Sequence, residues 1–409
     1  MIVDEPIGII ELGNINIKCL IFKININNEV EILSTNTTKA EGFHNDIVVN
    51  LLKATNATRL CISEAEKKAK ISLKKINVVL EQPDFLCTKF SKKKNINGSK
   101  IHKDDIDFLL KEAKKQLLLN DKKQSIIHIF NHNYIVDKKK FADEPIGVYA
   151  DLLTHEITFV TVPKNNLKNI NQVFVDCDIE VSRLISRIFS LGVKLLNYKE
   201  LEFGSALIDL GSEKTSLGLF KNLALVHSTT IPIGINHIIK DISKVCSLSL
   251  EESENIINNM DFSFKNNLKI FEKDNNLKNT YFINSNFRKI SESLILQVVK
   301  ARLDEIIDNL SKQLIVPNFN LTSRINIVLT GGGSNVFNIE EYFINFFGKN
   351  LKKINTVKPE KNGNLGEQFI SCFGAIKIIH EGWETEAIPE KHGKNVKKEG
   401  FFSKIFGIY

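Results

Sequence analysis

The chain has 409 residues, 43% of them hydrophobic and 25% charged. That is long enough for two lobes with large cores and too ordinary in composition for a disordered polypeptide. The net charge of +7 is uneven: Lys391, Lys394, Lys397, Lys398 and Lys404 face a single acid, Glu399, while the rest is nearly balanced. This pattern excludes a nucleic-acid groove and favours a local contact with an anionic surface. Cys19, Cys61, Cys87, Cys177, Cys246 and Cys372 are scattered without metal-binding spacing, as expected of reduced core thiols in a cytosolic protein. The N-terminus has no signal-peptide pattern, and no apolar run approaches the ~20 residues of a spanning helix.

In chain order, the first element is a hairpin over Ile10 to Phe22, bent at Gly13, and a strand follows at Val30 to Ser34. A long helix is expected from Asp46 to about Ile71, then a strand from Asn77 to Leu80. Residues 81–163 read as a separate module with a basic loop at Lys92 to Lys94. Its helix lies near Asp104 to Leu119, with strands near Ile126 to Val136 and Glu156 to Val162. A helix at Asn165 to Val175 leads back to the main body, and residues 164–204 complete the first half. The second half, 205–382, opens with a hairpin over Ile208 to Phe220 that repeats the first: apolar strand, acid, Leu-Gly, polar bend, apolar strand ending in Phe. Half a chain between the copies means domain duplication.

Pro232-Ile233-Gly234 then precedes a helix to about Cys246, and Ser249 with Glu252 forms a capping box for the next. A helix spans about Ser285 to Gln313. Ile327-Val328-Leu329-Thr330 is an apolar strand running into Gly331, Gly332 and Gly333, with Ser334 expected to cap a helix from Asn335 to Phe347. A last helix runs from Gly366 to about Gly382. Residues 383–399 read as a charged linker, and in 400–409 Phe401, Phe402, Ile405 and Phe406 fall largely on one helical face with Lys404 on the other. Ten helical residues reach only ~15 Å, so this tail suits the plane of a membrane interface, where each nearby lysine adds roughly 1 kcal/mol on anionic lipid.

Two glycine hairpins facing one another can grip a phosphate chain through backbone N–H groups. Glu11 and Asp209, one at each hairpin, can hold the waters of a phosphate-bound Mg2+, and Lys18 can neutralise phosphate charge. The bare turn at Gly331 to Gly333 adds a place for a nucleotide to lie against backbone.

These motifs resemble the actin-like ATPase superfamily: Glu11 to Lys18 its first phosphate motif, Asp209-Leu210-Gly211 its second, Leu329 to Gly333 its adenosine motif. The chain resembles more closely the FtsA family of bacterial division proteins. That likeness is carried by Ile129 to Asp137 with Glu144 to Gly147, Leu201 to Gly211, Ile231 through Asp241, Ser249 to Glu254, Arg302 to Glu305, and the tail. The resemblance implies an α/β, actin-like two-lobed fold of duplicated ribonuclease H-like domains, with 81–163 as an inserted small α+β subdomain. It also implies an upper second-lobe subdomain at about 236–322 and a C-terminal amphipathic helix at 400–409. It further implies ATP and Mg2+ in the cleft, held by Gly13, Asn14, Lys18, Asp209, Gly211, Ser212, Lys214, Gly234, Glu254 and Gly331 to Gly333. The expected partners are the FtsZ C-terminal peptide at Arg302 and Glu305, further copies of the chain in a polymer, later division proteins, and an anionic membrane. The last is met through Phe401, Phe402, Lys404, Ile405 and Phe406, on the cytoplasmic face of the inner membrane at the division site. From the residues alone, Arg302 and Glu305 are also one helical turn apart and suit an intrahelical ion pair.

The chain departs from the superfamily pattern at four places. Ser212, Glu213 and Lys214 replace glycines and threonine in the second phosphate motif, with Lys214 able to offset the repulsion of Glu213. Asn14 and Ile15 stand where Ser or Thr is usual, Ile257 where a lysine usually follows Glu254, and the helix after residue 181 has no Gln. These departures imply weak or absent hydrolysis. Two competing readings are a small-molecule kinase, which lacks a placed carboxylate base, and a pilus-assembly adaptor of the same fold.

Overall fold

The computed structural model describes residues 5–141, 143–262, 275–283, 285, 288–313, 326–348, 350–354 and 368–381. Strands β1 (Ile7–Glu11), β2 (Asn16–Ile24) and β3 (Val30–Lys39) form an antiparallel meander, with Glu11 opposite Lys18 at the first bend. A short hairpin of β4 (Phe43–His44) and β5 (Ile47–Val48) leads into α1 (Leu51–Ala69), whose N-cap Asn50 accepts from the Lys53 N–H. The small buried residues Ala54, Ala57, Cys61 and Ala65 line one stripe and let α1 lie close on β2 and β3. β6 (Lys75–Leu80) is buried from Ile76 onward and pairs parallel to β1, as suits a strand covered on both faces.

Next come β7 (Leu86–Lys100), α2 (Lys103–Asn120), β8 (Gln124–Val136), β9 (Lys139–Phe141) and β10 (Tyr149–Pro163). They make an antiparallel sheet, order β7-β10-β8-β9, with Ile106, Leu109, Ala113 and Leu117 of α2 packed in its own two cores. Helix α3 (Lys164–Val175) returns the chain to β11 (Glu180–Ser186), which pairs parallel to β6 and completes a first sheet of order β11-β6-β1-β2-β3.

After α4 (Arg187–Leu195) and α5 (Tyr198–Phe203) the plan repeats. β12 (Ser205–Leu210), β13 (Thr215–Lys221) and β14 (Ala224–Ile231) form a second meander. Helices α6 (Ile235–Cys246), α7 (Leu250–Asn259) and α8 (Glu292–Gln313) follow. β15 (Asn326–Thr330), α9 (Ile339–Phe347), β16 (Leu351–Lys353) and α10 (Ile370–His380) close the described chain. The second sheet has order β14-β13-β12-β15-β16, strand for strand that of the first, and the duplication inferred from two hairpins therefore extends to both whole sheets.

One core joins the lobes. Ile188 and Phe189 of α4 and Cys372 and Ala375 of α10 pack together with Ile10 and Val78 of the first sheet and Leu207, Phe220 and Val328 of the second. The opposite face of the second sheet is covered by α6, α7, α8 and α9. All six cysteines are free thiols.

Several sequence expectations shift. The helix expected from Asp46 begins at Leu51, because Asn45 and Asp46 both take positive φ (50° and 59°) as the two-residue loop of the β4–β5 hairpin. Lys92 to Lys94 lie inside β7, where Lys94 pairs with Asp105 at 2.7 Å. The helix expected from Ser285 begins at Glu292, and the last helix begins at Ile370. Ser334 caps no helix: it is buried, its hydroxyl donates to the Gly331 carbonyl at 2.7 Å, and Gly332–Asn335 form a 3-10 turn before α9 starts at Ile339. The linker at 383–399 and the tail at 400–409 lie outside the described residues.

The close approach of α10 to α4 depends on Gly374, where any Cβ would fall on the Ser190 carbonyl oxygen, a backbone atom that cannot rotate away. Gly374→Ala is expected to cost about 1–3 kcal/mol of unfolding free energy by overpacking, read by urea denaturation.

Candidate functional site

The two hairpin bends meet between the lobes, above α4. Each bend is the same local structure: a Cβ on Gly13 would meet the Asn16 carbonyl at 2.7 Å, and one on Gly211 the Lys214 carbonyl at 2.8 Å. Glu11 at the end of β1 and Asp209 near the end of β12 are both buried and share one partner. Arg187, the first residue of α4, places Nη1 3.3 Å from Glu11 Oε1 and Nε 3.1 Å from Asp209 Oδ2. Lys18 Nζ lies 3.3 Å from Glu11 Oε2, and Ser371 of α10 donates to that oxygen at 2.6 Å. Burial alone would raise the Glu11 pKa, but Lys18, Arg187 and the Ser371 hydroxyl outweigh it and hold the group at about 2. Burial disfavours the Arg187 charge, yet Asp209 and Glu11 more than offset it and push its pKa up.

A second cluster crosses the cleft beside the first. Lys214, in the β12–β13 bend, is buried with Nζ 2.6 Å from Asp46 Oδ2, and it also donates to the Glu81 carbonyl. Asp46 has no exposed surface, and its Oδ2 accepts the Glu81 N–H at 2.8 Å. The Glu81 carboxylate accepts from the Ser186 hydroxyl at 2.7 Å and the Ile188 N–H at 3.0 Å, which fixes the start of α4 and so the root of Arg187. Ser186 N–H donates to Nε2 of His128, a β8 residue of the inserted sheet. Burial, with a smaller push from Arg183, lowers the His128 pKa to about 3, so the ring is a neutral acceptor there.

Other expected site residues are placed as follows. Asn14 donates to Asn45 Oδ1 at 3.0 Å. Ser212 and Gly211 accept the Asn236 and Ile235 N–H groups at 2.8 and 3.0 Å, so the first turn of α6 is spent on the hairpin backbone. Gly234 allows this, since a Cβ would lie 2.6 Å from both the Gly211 and Ser212 carbonyls. Gly331 has φ 96°, and its missing side chain leaves room for Asp209 Oδ1; Gly333 packs on Leu210, and Gly332 borders open space. Glu213 turns to Asn236 and Lys240, 2.8 and 3.3 Å away. Lys214 therefore reaches to Asp46 and does not offset Glu213, contrary to the sequence expectation. Glu254 is exposed on α7, while Ile257 is in the core. Arg302 makes a two-pronged contact to Asp241 of α6, at 2.7 and 3.1 Å, and also pairs with Glu305 within α8. Phe401, Phe402, Lys404, Ile405 and Phe406 lie outside the described residues.

Glu11 and Asp209 thus both meet the Arg187 guanidinium, at the place where the sequence suggested the waters of a phosphate-bound Mg2+. Among the described residues no group of three or more His, Cys, Asp or Glu side chains is arranged to hold a metal. Each of the two carboxylates already carries an ion pair, so neither stands free as a direct ligand to a divalent ion. Sequence reasoning missed Arg187, Asp46, Glu81 and Ser371. Two signals were present: an arginine interrupting the apolar run Leu184 to Phe189, and an acid directly after the buried strand Asn77 to Leu80.

Burial raises the Glu81 pKa from 4.5 to about 7 against the Ile188, Ser186 and Lys214 contacts that lower it. A group whose folded pKa is raised contributes stability that is complete below pH 4.5 and lost as pH climbs through 7, up to about 3 kcal/mol here. Glu81→Gln keeps the acceptor oxygen and removes the charge. Its melting temperature relative to wild type is therefore expected to be higher at pH 8 than at pH 5, checked by calorimetry across that range.

Known proteins place this geometry. Family models described as "Cell division protein FtsA" and "SHS2 domain inserted in FTSA" match residues 206–374 and 86–161. The chain is 24% identical over 409 residues to the cell division protein FtsA of Buchnera aphidicola subsp. Acyrthosiphon pisum, covering 97% of this chain and 94% of the relative. Identity to the FtsA of Borreliella burgdorferi is 22% over 413 residues, covering 98% and 97%. Among solved structures, the PilM–PilN type IV pilus biogenesis complex matches with TM-score 0.61 and 12% identity, covering 91% of this chain and 97% of that one. MreB 5 of Spiroplasma citri bound to AMPPNP matches with TM-score 0.53 and 14% identity, covering 93% and 98%. At such identities these two likenesses speak to the fold, which is actin-like. Two repeated sheets around a cleft, an inserted sheet between β6 and α3, and relatives aligned almost end to end converge on one conclusion: the chain belongs to the FtsA family of cell division proteins.

Proposed function

We propose that this chain is a nucleotide-binding scaffold of cell division that links FtsZ filaments to the membrane. In this reading ATP lies in the cleft, its phosphates between the Gly13 and Gly211 bends and its adenosine end beside Gly332. Nucleotide favours head-to-tail polymers, and hydrolysis is weak or absent. The tail at 400–409 rests on anionic lipid at the cytoplasmic face of the inner membrane, and later division proteins are recruited at the division site. Many weak tails on one polymer give strong avidity without any single tight anchor.

The observation that carries the partner assignment is the state of Arg302. Its fork is held in place by Asp241 across two helices while its side chain remains partly exposed, with Glu305 beside it. Three of the five guanidinium N–H donors meet these carboxylates, leaving donors for a peptide, and a pre-positioned fork loses little entropy on binding.

Immobilised FtsZ C-terminal peptide is expected to capture the full chain, and Arg302→Glu, folded by circular dichroism, to weaken capture by about tenfold or more. Absence of capture by the wild type refutes the assignment. Deleting residues 400–409 is expected to abolish flotation with anionic liposomes, and retained flotation would remove the tail from its role.

A further inference from the structure

We propose that Arg187 takes the place of the divalent cation in the cleft, so that the site accepts a nucleoside triphosphate free of Mg2+. The inference rests on the nucleotide reading above and adds which ionic form of the ligand the site takes.

The argument starts from charge. Four carboxyl groups converge between the lobes, those of Glu11, Asp209, Asp46 and Glu81, and three cations meet them: Lys18, Arg187 and Lys214. A divalent ion is drawn to a site by uncompensated negative charge, and Glu11 and Asp209 each already have a cation against them. Placing Mg2+ between Glu11 and Asp209 would expel the guanidinium from both partners and set two cationic centres side by side in a buried place. Two carboxylate oxygens of the cluster lack a hydrogen-bond partner, Asp46 Oδ1 and Asp209 Oδ1, and the latter is shut in against Gly331.

Arginine is also suited to the substitution. It stays charged at every working pH, and after meeting the two carboxylates it keeps N–H donors that can reach phosphate oxygens, as a metal's waters would. Its position is built in. Arg187 is the first residue of α4, directly after the N-cap Ser186, and Glu81 holds that turn through the Ser186 hydroxyl and Ile188 N–H. The neighbouring second bend departs in the same direction: Lys214 brings a further fixed cation to the cleft floor.

The test is titration of a fluorescent ATP analogue into the full chain, once with Mg2+ and once with EDTA. The wild type is expected to bind with dissociation constants within about threefold of each other. Weakening by about tenfold or more in EDTA overturns the proposal while leaving nucleotide binding intact. Absence of binding in both buffers overturns the nucleotide reading and this inference with it. Arg187→Gln uncovers both carboxylates. In this variant affinity is expected to fall by about tenfold in EDTA and return with Mg2+. Mn2+ should also show a new bound signal by electron paramagnetic resonance that the wild type lacks. Mn2+ bound by the wild-type cleft without nucleotide refutes the proposal and requires no variant to fold.

Discussion

The guanidinium of Arg187 between the carboxylates of Glu11 and Asp209 is the contact on which the geometry of the cleft depends. Glu11 ends a central strand of one lobe and Asp209 lies one residue from the end of its counterpart in the other, and duplication of the fold brings the two ends together. Two carboxylates buried at that junction would repel each other strongly in a medium poorer than water at screening charge. A cation between them turns the repulsion into a link. The same residue opens α4, whose apolar face lies in the core shared by both sheets, so electrostatics and packing act on one helix.

The contacts around that centre extend the constraint. Lys214 crosses from the second lobe to Asp46 of the first, and Glu81 ties Asp46 to the start of α4. His128 brings the inserted sheet to the same point through Ser186. Buried ion pairs of this kind add little net stability against an apolar alternative, yet removing one partner commonly costs about 3–5 kcal/mol. Their consequence is geometric: lobe, lobe and insert are tied together through one set of paired polar groups.

Much of the fold could be read before the structure. The hairpins around Gly13 and Gly211 were visible because apolar strands bounded by an acid and a glycine recur half a chain apart, and local rules suffice for a bend. The capping box at Ser249 and Glu252 was readable for the same reason. The β4–β5 hairpin was missed although Asn45-Asp46 is a plausible left-handed turn pair, because the helical pattern after it masked a loop of two residues. Ser334 was misassigned because a hydroxyl after glycines looks like a helix cap, whereas burial turned it back onto Gly331.

The sequence by itself determined the two hairpins that repeat and the acids beside their bends, since each hairpin is set by residues local to its own strands and bend. Which charge meets which was decided only by tertiary structure. Lys214 looked like a remedy for Glu213 next to it, but Glu213 turned to Asn236 and Lys240, and Lys214 crossed the cleft to Asp46, 168 positions earlier in the chain. Arg187 carried no motif at all. Its role comes from standing where two strands from different lobes end, and the pairing of buried charges is set by distance in space, which a linear pattern does not contain.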